Sequence, residues 1–329
     1  MSAKIKTVLI TGGSGSWGHR LTVELLKNRN FRIFIFSRNE YLQVMMKRRF
    51  NNSERLSFII GDVRDFNRVN EVILRNKIDY IFHLAALKHV PVCETQPIEA
   101  LKTNIDGTTN VIRAALNNRV EKCVFVSTDK ACEPLNLYGN TKAIAEKVMR
   151  EANKWGNTKF IVIRAGNVLG SNGSVVPFFV EFSKNKRPLL LTDDRMTRYL
   201  MSLDEAIKLL LAAFRKGVGG EIFVYNMKGV RLIDLADVIW KWYNPDQDLK
   251  IKKMGLRAGE KIHECLVSEN EIEFTKDIGD FKVILPMDHS LDKYYAEFPN
   301  LSIRKYTSND ILMTKEEIRT LLVREGYLK

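Results

Sequence analysis

The stretch from Phe125 to Lys142 brings Ser127, Thr128, Asp129, Lys130, Tyr138 and Lys142 together at the end of an apolar run and the start of a helical one. Tyr138 and Lys142 are spaced i, i+4, so on a helix they project from one face. An ammonium beside a phenol lowers its pKa, which predicts Tyr138 as a proton acceptor near neutral pH with Ser127 holding the same substrate hydroxyl. Asp129 and Lys130 follow the serine-threonine pair directly. They set a candidate acid and a candidate base beside a candidate oxidation site.

These side chains need a scaffold, and the order of apolar runs predicts one. Lys6 to Thr11 reads as a buried parallel strand, followed by Gly12, Gly15 and Gly18 and then by a helical pattern at Leu21, Leu25 and Leu26. Strand, glycine turn and helix form a pyrophosphate site, because bare backbone and free helix N-terminal amides accept negative charge at close range. Ser14, Ser16 and Trp17 lie in that turn. A second strand, Arg32 to Phe36, ends in Ser37 and Arg38, where a carboxylate would have bound ribose hydroxyls. A hydroxyl followed by arginine suits a 2′-phosphate instead, so the expected cofactor is NADP, with NAD possible.

Strands are also expected at Leu56 to Ile60, Tyr80 to Leu84, Val120 to Val126 and Lys159 to Ile163. Asp62 and Val63 follow the third of the six strands, Asp62 as an acceptor for the adenine amino group, and Ala85 and Ala86 follow the fourth as the floor under the cofactor. A single long helix is predicted from about Glu99 to Asn118, its Asn104 needing buried partners. The strand-helix alternation argues for an α/β fold, a Rossmann doubly wound parallel sheet, with ligands at the strands' C-terminal ends. Residues 1–167 are expected to form this dinucleotide-binding domain. Residues 168–329 mainly form a smaller α/β substrate domain, with 199–228 returning to the first.

On the substrate side, Lys88 is placed to face a sugar or phosphate, Arg198 to contact an anion, and Arg257 to clamp a diphosphate bidentately. Asn167, Val175 and Glu260 belong to the same candidate site, and Gly170 to Phe179 reads as a glycine-rich loop running into a helix. His89 has no evident partner and is read as non-catalytic.

Bulk properties narrow the class. The formal charge of +13 favours anionic partners, and without aromatic interleaving or an RNA-binding signature these are nucleotides and nucleotide-linked substrates rather than nucleic acid. No apolar run approaches the ~18 residues of a membrane span. The first residues, Met-Ser-Ala-Lys, pass almost at once into a strand, so a cytoplasmic protein with no targeting segment is expected. Cys93, Cys123, Cys132 and Cys265 form no CxxC pair and no metal-like spacing with histidine, which predicts free thiols and no metal.

Taken together the chain resembles the extended short-chain dehydrogenase/reductases, and more narrowly the soluble UDP-N-acetylglucosamine 4,6-dehydratases of bacterial surface-sugar pathways. The motifs include the glycine turn from Thr11, Ser37-Arg38, Gly61-Asp-Val-Arg-Asp65, Ala86-Leu-Lys-His-Val-Pro91, Ser127-Thr-Asp-Lys-Ala131, Asn136-Leu-Tyr-Gly139 and Arg195-Met-Thr-Arg198. The resemblance implies a UDP-sugar substrate and a homo-oligomer. It also implies that Tyr138, supported by Lys142 and Ser127 or Thr128, removes the 4-hydroxyl proton as hydride leaves C4. Lys130 then takes the C5 proton, Asp129 helps the 6-hydroxyl leave as water, and hydride returns to C6. Two competing expectations are an NDP-sugar 4-epimerase, which needs no Asp-Lys pair, and a non-catalytic dinucleotide- or RNA-binding relative.

Overall fold

The computed structural model describes residues 5–170 and 175–329. The leading Met-Ser-Ala-Lys and the centre of the glycine-rich loop, Ser171 to Ser174, lie outside the described residues.

Six strands open the chain: β1 (Lys6–Thr11), β2 (Phe31–Ser37), β3 (Leu56–Ile60), β4 (Tyr80–His83), β5 (Lys122–Thr128) and β6 (Lys159–Ala165). They pair in parallel in the order β3-β2-β1-β4-β5-β6, and Ile222–Tyr225 adds a seventh parallel strand beside β6. Helices cover both faces, so the central strands are apolar throughout: Val8 to Ile10, Ile33 to Phe36 and Phe160 to Ile163 are almost wholly buried. The strand order reverses between β1 and β4, which opens a crevice at their carboxyl ends where doubly wound sheets take ligands.

Two strands on this sheet carry no clear signal in the sequence. Thr275–Asp277 and Phe281–Ile284 extend its far edge antiparallel, beyond Ile222–Tyr225. The tail also carries the helix Lys315–Arg324, capped by Thr314, whose side chain accepts from the Glu317 N–H. Such short strands have too few residues to display a period, and only pairing with an existing edge defines them.

A second apolar cluster packs Val176, Phe179, Leu191, Leu235, Ile239, Trp240 and Leu322 around the helices Val175–Lys184 and Leu232–Tyr243. Trp240 is fully buried there and donates its indole N–H to the Gln247 carbonyl at 3.2 Å. The helix Leu203–Lys216, by contrast, packs into the core of the large sheet.

The helix expected from Glu99 to Asn118 is interrupted. Pro97–Leu101 is α-helical, Lys102–Asp106 is a π turn, and Gly107–Asn117 resumes the α-helix. Asn104 lies in the π turn, a feature frequent at functional sites. Its carboxamide accepts from the Leu87 backbone N–H at 2.8 Å and donates to the Leu87 carbonyl at 2.9 Å and to Thr141 Oγ1 at 3.0 Å. It thereby ties the loop after β4 to the helix that carries Tyr138.

Candidate active site

A cleft of about 1320 Å³ lies across the carboxyl ends of the parallel strands. That exceeds the ~300–1,000 Å³ of a single small-ligand pocket and leaves room for two ligands together. One end is the turn between β1 and α1 (Ser16–Leu26). Gly12 has φ +66°, and a Cβ there would come within 2.8 Å of the Ala85 backbone N, so only glycine lets the two loops meet beneath a ligand. Ser14, Gly15, Ser16 and Trp17 line the cleft, as do Ser37, Arg38, Asp62, Val63, Ala85 and Ala86. Gly18 does not: it is buried against Gly13, where a Cβ would meet the Gly13 carbonyl, so the third glycine serves turn-helix packing rather than ligand contact.

At the tip of β2, Ser37 Oγ is held by Ser14 Oγ at 3.0 Å and by the buried Gln43 amide at 2.9 Å. Gln43, missed in the sequence, also ties Ser37's carbonyl to that of Ile59. Arg38 remains more than half exposed, 3.9 Å from Asp62. Asp62 itself is engaged by Arg64, so its carboxylate reaches the cleft already paired and held below the usual carboxylate range.

The other end is built by β5 and the helix Leu137–Glu151. Pro134 and the cap Asn136 set the helix start; Asn136 accepts from the Gly139 N–H at 2.9 Å and donates to the Gly259 carbonyl at 2.9 Å. A Cβ on Gly139 would lie 2.2 Å from the Lys130 carbonyl oxygen. The absence of that Cβ lets the Tyr138 turn sit directly on the turn Asp129–Ala131. Ser127, Thr128, Lys130, Tyr138 and Lys142 all line the cleft, while Asp129 is wholly buried behind it.

The charge states differ from the expectation. Burial pushes the Tyr138 phenol up to about 12, only partly offset by the Lys130 charge and the Thr128 hydroxyl. Lys142 is pushed down to about 7 by burial, with Glu146 opposing weakly, and its Nζ sits 3.9 Å from the centroid of the Phe125 ring. Tyr138 and Lys142 both line the cleft, but spacing carries no information on desolvation, which here dominates both groups.

Lys130 goes the other way. Its Nζ lies 3.0 Å from Asp129 Oδ1, 3.3 Å from Glu264 Oε1 and 3.1 Å from Asn167 Oδ1. Burial works against the ammonium, but the two carboxylates outweigh it and hold Lys130 more firmly protonated than a free lysine. Asp129 is raised, first by burial and then by Glu264, against the pull of Lys130. Glu264 was not singled out in the sequence, although an acidic residue opening the apolar run Cys265–Val267 requires a buried partner. Its Oε1 also lies 3.6 Å from Arg198 Nε. Arg198 is itself buried, donating to the Thr197 and Ile262 carbonyls, whereas Arg195 pairs with Asp193 on the surface.

All six residues expected on the substrate side, Lys88, Asn167, Val175, Arg198, Arg257 and Glu260, line the cleft. Glu260 reaches to 3.6 Å from Arg198, and Arg257 is exposed at the rim. His89 lines it too. Three buried side-chain oxygens here lack a hydrogen-bond partner among the described residues: Ser127 Oγ, Asp129 Oδ2 and Glu264 Oε2. Beneath the site Cys132 Sγ and Cys265 Sγ approach to 2.9 Å as free thiols. Among the described residues no group of histidine, cysteine and acidic side chains is arranged to hold a metal, and no helix is long and apolar enough to cross a membrane.

A parallel sheet with a glycine turn at its switch point, and serine, tyrosine and lysine at the mouth of β5, defines an extended short-chain dehydrogenase/reductase. Within that class the chain belongs to the polysaccharide biosynthesis protein family, whose family model matches residues 8–286. It is 42% identical over 293 residues to a UDP-N-acetylglucosamine 4,6-dehydratase (inverting) from Campylobacter jejuni, covering 88% of this chain and 85% of that one. It is 40% identical over 337 residues to a UDP-glucose 4-epimerase from Rickettsia bellii, covering 98% and 97%. The X-ray structure of Pen from Bacillus thuringiensis superposes with a TM-score of 0.91 at 36% identity, over 100% of both chains.

Proposed function

We propose that the chain is a nucleotide-sugar 4,6-dehydratase acting on UDP-N-acetylglucosamine, with a nicotinamide dinucleotide in the glycine-turn end of the cleft. Gly12, Gly15, Ser37 and Arg38 would hold that dinucleotide, and the exposed Arg38 beside Ser37 favours NADP. When bound, the dinucleotide supplies hydride acceptance from C4 and hydride return to C6. Lys88, Arg198 and Arg257 face the anionic nucleotide part of the substrate.

The observation that carries this reading is the ion pair of buried Asp129 and half-buried Lys130 at the mouth of β5, next to Tyr138. Burial keeps the Tyr138 phenol protonated at rest, so its proton first passes to a base, for which Lys142, neutral above about 7, stands one helical turn away. The phenolate then takes the 4-hydroxyl proton, with Ser127 Oγ free to hold the same oxygen. The developing C4 ketone makes the C5 proton acidic. Moving one proton from Lys130 Nζ to Asp129 Oδ1, across 3.0 Å, turns the ion pair into a neutral amine and a neutral carboxylic acid without changing net charge. Burial favours the uncharged pair. The amine then accepts the C5 proton and the acid gives its proton to the departing 6-hydroxyl, which restores the ion pair and releases water.

A second reading, C4 epimerisation, is favoured by the resting charge of Lys130, which is held protonated by two carboxylates, and by the 98% coverage of the Rickettsia epimerase match. Epimerisation, however, uses only Tyr138, Lys142 and Ser127, and leaves Asp129 and Lys130 without a task. Incubation with UDP-N-acetylglucosamine in deuterated water separates the two. The dehydratase yields a 4-keto-6-deoxy sugar with deuterium at C5 by NMR, whereas an epimer that keeps its 6-hydroxyl overturns the proposal.

A further inference from the structure

Glu264 has no part in the proton transfers described above, yet its geometry ties it to the group that makes them. It is 3% exposed, comes from a different part of the chain than β5, and brings Oε1 to 3.3 Å from Lys130 Nζ. Its backbone is held in turn: Ser308 Oγ accepts the Glu264 N–H at 2.9 Å, the Ser308 N–H donates to the Glu264 carbonyl at 2.9 Å, and Thr197 Oγ1 meets Ser308 Oγ at 2.6 Å. Tyr306–Thr307 pairs with Cys265–Val267 next to it, and the Tyr306 hydroxyl is anchored on the Met227 carbonyl. A tail segment with no obvious place in the site thus serves to fix one carboxylate. Glu264 Oε2 is buried and has no partner among the described residues, and the side chain lines the cleft.

We propose that Glu264 is a positioning residue for Lys130: its carboxylate, 3.3 Å from Nζ, holds the Lys130 amine at the cleft wall and keeps on it the proton that is passed to Asp129. The inference rests on the dehydratase reading for its catalytic consequence but not for its electrostatics. The charged and titratable groups facing Lys130 are Asp129 on its own turn, Glu264 on the segment before Cys265–Val267, Arg198 on the strand Thr197–Met201, and Tyr138 on the helix Leu137–Glu151; Lys261 acts through Glu264. Of these, Glu264 and Asp129 favour the ammonium and Arg198 opposes it. Removing the Glu264 charge therefore destabilises the cation and moves deprotonation to lower pH. A carboxylate this close shifts a neighbour by about one to three pH units.

The test is Glu264→Gln, which keeps the shape and the acceptor facing Lys130 but removes the charge. Two measurements are compared with the wild type: the Lys130 titration in 13C-lysine-labelled protein without substrate, assigned with Lys130→Arg, and the pH profile of kcat for water loss. The proposal expects both the titration and the alkaline limb of kcat, where the pair loses the proton it passes between Lys130 and Asp129, to move down by about one pH unit or more, with KM changing less than kcat. Glu264→Asp, which retains the charge, should keep the limb near the wild-type position even where its maximal rate falls. A lower kcat at every pH with both midpoints unmoved in Glu264→Gln overturns the proposal, as does an equal displacement in Glu264→Asp. Should the wild type release no water from UDP-N-acetylglucosamine, the dehydratase reading fails while the substrate-free titration still decides the role of Glu264.

Discussion

Lys130 and Lys142 lie at the same cleft, one on the turn after β5 and the other a helical turn beyond Tyr138, and their surroundings drive them in opposite directions. Lys142 is 3% exposed, makes no ion pair among the described residues, and has an aromatic face as its nearest support, so desolvation wins and the amine titrates at about 7. Lys130 is wedged between two carboxylates, and their field outweighs the same desolvation. Burial alone therefore does not decide a lysine's charge; the number of buried counter-charges does. The lysine assigned to the redox pair is poised near neutrality, and the one assigned to elimination rests protonated, waiting on transfer to Asp129.

Removing either side chain should break this contrast in a different way. The largest effect is expected from Lys130→Ala, which deletes the base and leaves Asp129 beside Glu264 without its counter-ion. Water loss should fall by about 10²–10⁴-fold or more, while binding of the dinucleotide, followed by fluorescence, stays at the wild-type level. Full turnover in this variant would refute the base assignment.

A smaller effect, on stability, is expected from Lys142→Met. The folded-state pKa of Lys142, about 7, lies below its ordinary value of 10.5. Between those values the unfolded chain binds the extra proton, so the wild-type protein should gain stability as pH rises from about 7 towards 10.5. Below pH 7 the buried charge costs the fold on the order of a few kcal/mol. The methionine variant should be the more stable protein at pH 6, by thermal or denaturant unfolding, and the difference should shrink as pH approaches 9. A difference that is independent of pH would remove Lys142 from the list of buried charges.

The contrast also marks what the sequence reveals and what it does not. Strands β1 to β6 of the large sheet, the glycine turn and the Tyr138-Lys142 face are legible because each is encoded by neighbours a few residues apart: runs of five to seven residues for β1, β2 and β3, and an i, i+4 step for the pair. Asp129 and Lys130 are adjacent, so their pairing is legible too, and so is the conflict between an ion pair and an acid-base role. Lys130's second carboxylate is not, since Glu264 reaches it only after the chain has crossed the substrate side and the tail has folded back at Tyr306–Thr307. Gln43 was opaque for the same reason, and Asn104 showed its need for buried partners but not which ones, as Ile59 and Leu87 become their neighbours only once the sheet is assembled. The direction of the Tyr138 shift was misjudged because spacing gives proximity and only packing gives burial.

The measurement that tests this account most directly is the site-resolved titration of both lysines in one sample, by 13C NMR of labelled lysine side chains assigned with Lys130→Arg and Lys142→Arg. The account predicts that Lys142 loses its proton near neutral pH while Lys130 remains protonated well into the alkaline range. Lys130 titrating at or below the pH of Lys142 would contradict it.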